Sequence, residues 1–530
     1  MGWAWAWAWA WATTIMTTTK PTELKALGAT MRLPLPSFLT QLAANIGSPI
    51  GVVFVGGVNL ILIQWVLVRE MTALLLGTEL VVLLVSIAYF AGLTLGYQLS
   101  GRINVRWIAP LGIATLVLHL TLPIWFRLLV AWLSSIQAYG IAFLVLPLLT
   151  PFVVSAFYSL FLPLYADQGK GNVANLYGVE VLGSVVGVLV LVLLAGFGFS
   201  AVFLVYGIGL LFILGTLGVS LDKLLVMVLG IGIWLALFPM LNQWSNALWY
   251  QSVHGLPSGT TTLYTGYSAY QKIDVLQSSS GSRYLYLDGM NHFGTYDGQR
   301  LNVVSGQVPS MLIRPQNALV LGAGSMQMAA MIADYAKHVH TVEVDPLVVE
   351  VSLRYFGEYN RMNKLTNRSI TVDDAKHYIA NSTETYDLIA TDLPAAYSIQ
   401  TATLYSAPFF ASIAEHLTPK GVFVANLTSE FELDDLVSRR IAAGLLANFD
   451  EVMVITPRSV GWSFAYASDD LPFDRETVEQ ALRDSGEQEF VIYETEAVQA
   501  FVGTAQPITL DSMDIVLHVS WDWMSDRMTQ

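Results

Sequence analysis

Hydrophobic residues fill long, nearly uninterrupted runs over the first half of the chain. A helix needs about 20 apolar residues to cross the roughly 30 Å hydrocarbon core of a bilayer. The predicted spans are 50–68, 79–98, 107–125, 143–165, 174–196, 200–219 and 223–241. Residues 46–242 are therefore predicted to be a multi-pass α-helical membrane domain of seven helices.

Two features of this half leave its topology open. The segment 126–142 could be an interfacial helix or part of an eighth span. Residues 1–45 form an N-terminal tail that starts with a Trp-Ala repeat and lacks the basic region of a signal peptide. Glycines four residues apart, at Gly92/Gly96 and Gly183/Gly187, predict closely packed helix pairs.

In the second half of the chain the apolar segments are shorter and are separated by polar residues, as is typical of a soluble fold. Residues 243–262 are predicted to be a linker, and residues 263–310 a small β subdomain of hairpins. Residues 311–530 are predicted to form a Rossmann-like α/β domain, because helices separate apolar strands in a way typical of a mostly parallel sheet. These strands are predicted at 318–322, 340–344, 369–372, 386–391 and 421–426. After residue 431 we expect a helix at 433–448, strands at 451–456 and 462–468, a helix at 474–484, and further strands to the end.

Charge follows the same division of the chain. Residues 1–245 hold nine Lys/Arg and six Asp/Glu, whereas the remainder holds 17 Lys/Arg and 34 Asp/Glu. The acidic second half disfavours nucleic acid as a partner, and the apolar first half favours a lipid bilayer. The sequence has no cysteine, which excludes disulfides and thiolate chemistry.

The residues with the clearest chemical meaning follow successive predicted strands. Gly322 and Gly324 make a glycine turn after the first strand, and Glu343 follows the second strand 19 residues later. Asp373, Asp374 and Ala375 follow the third strand, and Asp392 follows the fourth. Glycines allow a ligand close to the backbone, and an acid can bind ribose hydroxyls, so this order predicts a nucleoside site. Each acid taken alone could equally be a helix cap. A dinucleotide is disfavoured because Gln327 occupies the position of the third glycine in a dinucleotide-binding turn.

Several motifs in the second half resemble the spermidine synthase (polyamine aminopropyltransferase) family, whose fold is that of S-adenosylmethionine methyltransferases. They are YQKIDV (270–275), YLYLDGMNHFGTYD (284–297), ALVLGAG (318–324), DDAKHYI (373–379) and YDLIATDLP (386–394). The apolar half resembles the N-terminal part of membrane-embedded bacterial spermidine synthase-like proteins through FVGGVNLILIQWVLVREMTALLLGTE (54–79).

The resemblance implies a role for each site residue. Gln271 would contact the thioether side of the donor, Glu343 the ribose, and Asp374 with Ala375 the adenine. Asp392 would orient the attacking amine and take its proton. The implied co-substrate is decarboxylated S-adenosylmethionine or S-adenosylmethionine, and the implied acceptor is a small-molecule amine.

The sequence departs from the family where the cationic amines would bind. Ser325 replaces the aspartate expected to hold the aminopropyl ammonium, and His292 replaces a glutamine. Leu301, Asn302 and Val303 replace a Tyr-His-Glu run, and Ala395 replaces a second aspartate. The remaining candidate substrate contacts are His292, Ser325 and Tyr397.

Three functions fit these observations: aminopropyl or related group transfer, methyl transfer, and a non-catalytic membrane subunit or transporter-like protein. The expected location is a bacterial inner membrane, with the soluble domain in the cytoplasm where nucleoside donors occur. The basic residues Lys20, Lys25 and Arg32 agree with that location only if the number of spans is even. A homo-oligomer or a larger membrane complex is compatible with the sequence.

Overall fold

The computed structural model describes residues 48–529, except for 76–77, 170–172, 196–197, 217–220, 297–298, 323, 397, 432–434, 459–460 and 512–513. The first half is entirely helical over the described residues. Its helices are α1 Pro49–Leu75, α2 Glu79–Ser100, α3 Val105–Leu120, α4 Leu122–Ser135, α5 Tyr139–Ser159, α6 Leu162–Gly169, α7 Val173–Ala195, α8 Phe199–Thr216 and α9 Leu221–Val253. The tail predicted at 1–45 lies outside the described residues.

Length and composition permit six or seven membrane crossings among the described residues. Six helices are long and apolar enough, and α3 with α4 would make a seventh as one span bent by 71°. The ambiguous segment 126–142 is not a separate helix, since it is divided between the end of α4 and the start of α5.

Close helix packing at the predicted glycine pairs is confirmed. A Cβ atom added at Gly92 would overlap the carbonyl oxygen of Phe152 on α5, and one at Gly183 would overlap that of Phe54 on α1. Only glycine allows these backbones to approach so closely.

A four-stranded antiparallel sheet follows, with strands β1 Thr261–Tyr267, β2 Lys272–Gln277, β3 Arg283–Leu287 and β4 Met290–Gly294 in sequential order. Residues 243–253, predicted to be linker, are instead the last turns of α9. The polar residues there were expected to end the helix. Instead, Asn246 and Tyr250 face the small sheet and donate hydrogen bonds to Asp274 on β2.

The third part is an eight-stranded sheet in the order β12-β10-β11-β9-β8-β5-β6-β7. Its strands are β5 Asn317–Leu321, β6 His338–Glu343, β7 Arg368–Val372, β8 Tyr386–Thr391, β9 Leu417–Asn426, β10 Glu451–Pro457, β11 Phe464–Ser468 and β12 Phe490–Tyr493. The five strands β5 to β9 are parallel to one another, which confirms the predicted α/β class.

Helices cover both faces of this sheet and lie between its strands. They are α10 Gln299–Asn302, α11 Val308–Ile313, α12 Gln327–Ala333, α13 Pro346–Tyr355, α14 Ala375–Asn381, α15 Ile399–Ala402, α16 Ala407–Ala414, α17 Leu436–Leu446, α18 Arg475–Asp484, α19 Thr495–Val502 and α20 Asp514–Thr529. Alternate residues of β5 therefore enter two different cores, Leu319 and Leu321 on one face and Ala318 and Val320 on the other. The prediction of further strands to the end was wrong after β12, because α19 and α20 complete the chain.

A buried ion pair on β2 of the small sheet is hydrogen-bonded to the helical region through Asn246. Lys272 Nζ lies 2.7 Å from Asp274 Oδ2, and both side chains are inaccessible to solvent. Asn246 on α9 accepts a hydrogen bond from Lys272 and donates one to Asp274. Burial lowers the pKa of Lys272, although Asp274 opposes that shift.

Lys272→Met is expected to destabilise the protein by about 3 kcal/mol, because it leaves the Asp274 carboxylate buried without its cation. The measurement is thermal unfolding of the full chain in detergent. Lys420→Met is the control, since Lys420 and Asp470 form an exposed pair that contributes little. Equal melting temperatures for the two variants would contradict this role of the pair.

Candidate functional site

The candidate site lies at the carboxyl ends of β5, β6, β7 and β8. Strand β5 is paired in parallel with β6 on one side and β8 on the other, so Leu321 lies opposite both Val342 and Thr391. The next residue of each strand is Gly322, Glu343 and Asp392. The strand order reverses around β5, and open α/β sheets bind ligands at such a switch point.

The glycine turn brings Asp392 against the backbone of the β5–α12 connection. Gly322 has φ +92°, and a Cβ there would overlap the carbonyl oxygen of Asp392. A Cβ at Gly324 would lie 2.7 Å from Asp392 Oδ2. The glycines are therefore needed for the close approach of Asp392, in addition to the ligand approach expected from the sequence.

Asp392 has the properties of a proton acceptor that works near neutral pH. Burial raises the pKa of its carboxyl group to about 6. Its backbone amide donates to the carbonyl oxygen of Leu321 over 2.8 Å, which fixes the residue at the end of β8. A carboxylate with this pKa is ionised at pH 7 and binds a proton more readily than an exposed aspartate.

Asp345 connects two residues, Gln271 and Glu343, that are predicted to contact the nucleoside co-substrate. Its backbone amide donates to Glu343 Oε1 over 2.9 Å, and its Oδ2 accepts hydrogen bonds from Ser268 Oγ (2.6 Å) and Gln271 Nε2 (3.4 Å). Its other oxygen, Oδ1, caps α13 by accepting from the Leu347 amide over 3.0 Å. Gln271 and Glu343, which are 72 positions apart, are thus neighbours through a residue that the sequence interpretation missed.

The third strand end carries Asp374 and Ala375, predicted to contact adenine. Asp374 caps α14, where its Oδ1 accepts from the backbone amides of Lys376 (2.9 Å) and His377 (3.1 Å). Ala375 is buried at the start of that helix. The structure gives Asp374 the capping role that the sequence left open, and its adenine contact stays a prediction.

Tyr270 is a second residue that the sequence interpretation missed. Burial raises the pKa of its phenol, and the negative charges of Asp345, Asp374 and Glu343 raise it further. The phenol is therefore within electrostatic range of the acids at the ends of β6 and β7, while the residue as a whole is 41% exposed. The motif that contains Tyr270 and Gln271 could have suggested an aromatic neighbour for the nucleoside.

The three candidate substrate contacts differ in their surroundings. Ser325 is buried, its Oγ accepts from the Gln327 amide (3.3 Å), and its carbonyl oxygen accepts from Asn360 Nδ2 (2.6 Å). His292 lies on β4, where burial lowers its pKa to about 4 and leaves the ring neutral at pH 7. Tyr397 lies outside the described residues.

The positions that depart from the family pattern are mostly apolar or already paired. Val303 and Ala395 are buried, and Asn302 Nδ2 donates to Gln327 Oε1 over 2.9 Å. Ser325 and these residues place no carboxylate where the family pattern has acids.

Comparison with known proteins finds similarity to one family of transferases. Residues 302–473 match the model of the spermine/spermidine synthase domain. The chain is 32% identical over 212 residues to a polyamine aminopropyltransferase of Oceanobacillus iheyensis, a match that covers 38% of this chain and 41% of the relative. A polyamine aminopropyltransferase of Agathobacter rectalis is 28% identical, with 39% of this chain and 75% of the relative covered.

Among solved structures, the spermidine synthase of Thermotoga maritima is 21% identical, with a TM-score of 0.37 over 46% of this chain and 84% of the other. The chain spans less than half of the length of the first curated relatives that it matches. Residues 302–473 therefore match the spermine/spermidine synthase domain, and this part of the chain is similar in sequence to polyamine aminopropyltransferases.

Proposed function

We propose that the chain is a membrane-anchored transferase that moves an aminopropyl or related group from an S-adenosylmethionine-derived donor to an amine. The observation that carries this proposal is the position of Asp392. Its carboxylate lies against the glycine turn, at the sheet edge where Glu343 and Asp374 also end their strands. Its pKa of about 6 suits the removal of a proton from an attacking amine.

The proposed reaction is a displacement at carbon. The amine nitrogen attacks the methylene group attached to the donor sulfonium, the C–S bond breaks, and methylthioadenosine leaves with the electron pair. Asp392 accepts the proton that the new secondary amine loses. Because the sulfonium is already an activated leaving group, alignment and electrostatics provide most of the rate.

Gln271, Glu343, Asp374 and Ala375 would hold the nucleoside in this proposal. Glu343 has a fixed orientation, since the Asp345 amide donates to its Oε1. Asp345 in turn holds Gln271, so the thioether and ribose contacts share one support. Such a preorganised site loses little free energy in ordering its side chains when the donor binds.

Ser325 supports a second candidate, which is methyl transfer from intact S-adenosylmethionine. Ser325 Oγ accepts a hydrogen bond from the Gln327 amide, and a serine has no charge to pair with the ammonium of a decarboxylated donor. An unpaired ammonium in a buried site is costly. The apolar residues Val303 and Ala395 would favour an acceptor with a hydrophobic part in either reaction.

The membrane location is part of the same proposal. It is supported by six helices of sufficient length and apolarity, or seven with the bent pair. We place the α/β domain in the cytoplasm of a bacterial cell, at the inner membrane, because nucleoside donors are made there. Protease accessibility of the α/β domain in sealed inside-out vesicles tests this side of the membrane.

Product analysis distinguishes the candidate reactions. The full chain in detergent is incubated with isotopically labelled decarboxylated S-adenosylmethionine or S-adenosylmethionine and a series of amines, and mass spectrometry detects the nucleoside released. Amine-dependent methylthioadenosine is the expected product, and reactions without amine give the background. S-adenosylhomocysteine would establish methyl transfer instead. If neither product forms with any amine tested, the result would favour the non-catalytic membrane subunit.

A further inference from the structure

One side chain of the apolar helical region reaches the candidate donor site. Arg69 lies near the end of α1, and its guanidinium donates to three consecutive carbonyl oxygens of the loop between β1 and β2. The distances are 2.9 Å to Ser268, 2.6 Å to Ala269 and 2.8 Å to Tyr270. One planar guanidinium thus fixes the path of a whole turn.

The loop that Arg69 holds carries residues of the donor site. Ser268 donates to Asp345, and the amides of Tyr270 and Gln271 both donate to Ser268 Oγ over 3.0 Å. Gln271 is the predicted thioether contact, and Tyr270 precedes it on the same loop. A displacement of this loop would move Tyr270, Gln271 and the support of Glu343 together.

Other residues at the end of α1 also contact this part of the small sheet. Glu70, the next residue, accepts a hydrogen bond from the hydroxyl of Tyr267 and pairs with Arg127. A Cβ at Gly289, in the turn after β3, would overlap the carbonyl oxygen of Ala73. The helix therefore contacts the small sheet on both sides of Gln271.

We infer that Arg69 is a positioning residue for the donor site, so that the apolar helical region is a structural part of that site. This inference rests on the proposed function, because it assigns Gln271 and Glu343 to the donor. It gives the first helix a role beyond attachment to a bilayer. It also implies that the α/β domain without α1 would bind the nucleoside weakly.

The test is calorimetric titration of the full chain in detergent with methylthioadenosine. Arg69→Gln removes the charge and most of the donors, and we expect the affinity to fall about tenfold or more, as for the loss of hydrogen bonds to a charged group. Arg69→Lys should recover part of this loss, since an ammonium still has three donors. Arg102→Gln is the control, because it removes the same charge from an exposed position at the end of α2.

A double-mutant cycle separates positioning from general stability. If Arg69 acts through the loop, adding Arg69→Gln to Gln271→Ala should weaken binding much less than it does in the wild type. Hydrogen exchange should become faster at the amides of residues 268–271 in Arg69→Gln and stay unchanged in β5 and β6.

Three results would overturn this inference: wild-type affinity in Arg69→Gln, independent effects of Arg69 and Gln271, or faster exchange throughout the α/β domain. Absence of methylthioadenosine binding by the wild-type chain would instead refute the donor site itself.

Discussion

Asp392→Asn is expected to lower the rate of group transfer about 10³-fold, within the usual range for the loss of a general base. Asparagine has nearly the same shape but cannot take the proton from the attacking amine. The affinity of the Asp392→Asn variant for methylthioadenosine should change little, because the nucleoside contacts are assigned to other residues. The measurement is the initial rate of methylthioadenosine release from the decarboxylated donor.

The pH dependence gives an independent check of the same residue. Burial raises the pKa of Asp392 to about 6, so the carboxylate is protonated and inactive below that pH. The wild-type rate should therefore rise as the pH increases through about 6 and then level off, whereas the residual rate of Asp392→Asn should lack this step. Asp450→Asn, at an exposed turn, is the control and should keep the wild-type profile. Full activity of Asp392→Asn would remove Asp392 from the mechanism.

Gly322→Ala is expected to abolish nucleoside binding and to lower the melting temperature. Gly322 has a left-handed backbone with φ +92°, and the added methyl group would overlap the carbonyl oxygen of Asp392. The backbone after β5 or after β8 must then move, and either movement disrupts the site. Titration with methylthioadenosine measures the loss, and thermal unfolding measures the strain.

The chain offers a closely matched control for this substitution. Gly486 also has φ +92°, but a Cβ there would have no neighbour within 4 Å. Gly486→Ala should cost about 1 kcal/mol in backbone strain and leave binding unchanged. If both variants bind the nucleoside equally well, the close approach of Gly322 and Asp392 does not matter for the site.

The strand ends could be predicted because each carries a local signal. An apolar run followed at once by glycine or an acid marks the end of a buried strand, and β5, β6 and β8 end within one residue of their predicted ends. Parallel pairing then places those ends at one edge of the sheet. Gly322, Glu343 and Asp392 were found in this way.

Other features depend on contacts that a local pattern does not contain. The segment after β12 is rich in β-branched and aromatic residues and was expected to form strands. It is helical because Ile515, Val516 and Val519 pack in the core, and α20 lies against α2 and α5 of the helical region. The linker prediction failed for a related reason, since the polar residues of α9 are paired with the small sheet.

Arg69 and Asp345 were missed because their partners are far away in sequence. Arg69 contacts carbonyl groups about 200 positions later, and any residue type could supply those carbonyls. Asp345 resembles an ordinary helix cap before Pro346, and only the fold shows that its second oxygen holds Ser268 and Gln271. Residues that position the site, such as Arg69 and Asp345, are therefore harder to predict from the sequence than the residues of the site itself.

Titration of the full chain with methylthioadenosine tests the central claim most directly, because this molecule contains the nucleoside and the thioether but no transferable group. We expect saturable binding at one site per chain, which Gly322→Ala eliminates and Gly486→Ala preserves. Absence of binding by a wild-type chain with a cooperative melting transition would contradict the nucleoside site at the ends of β5, β6, β7 and β8.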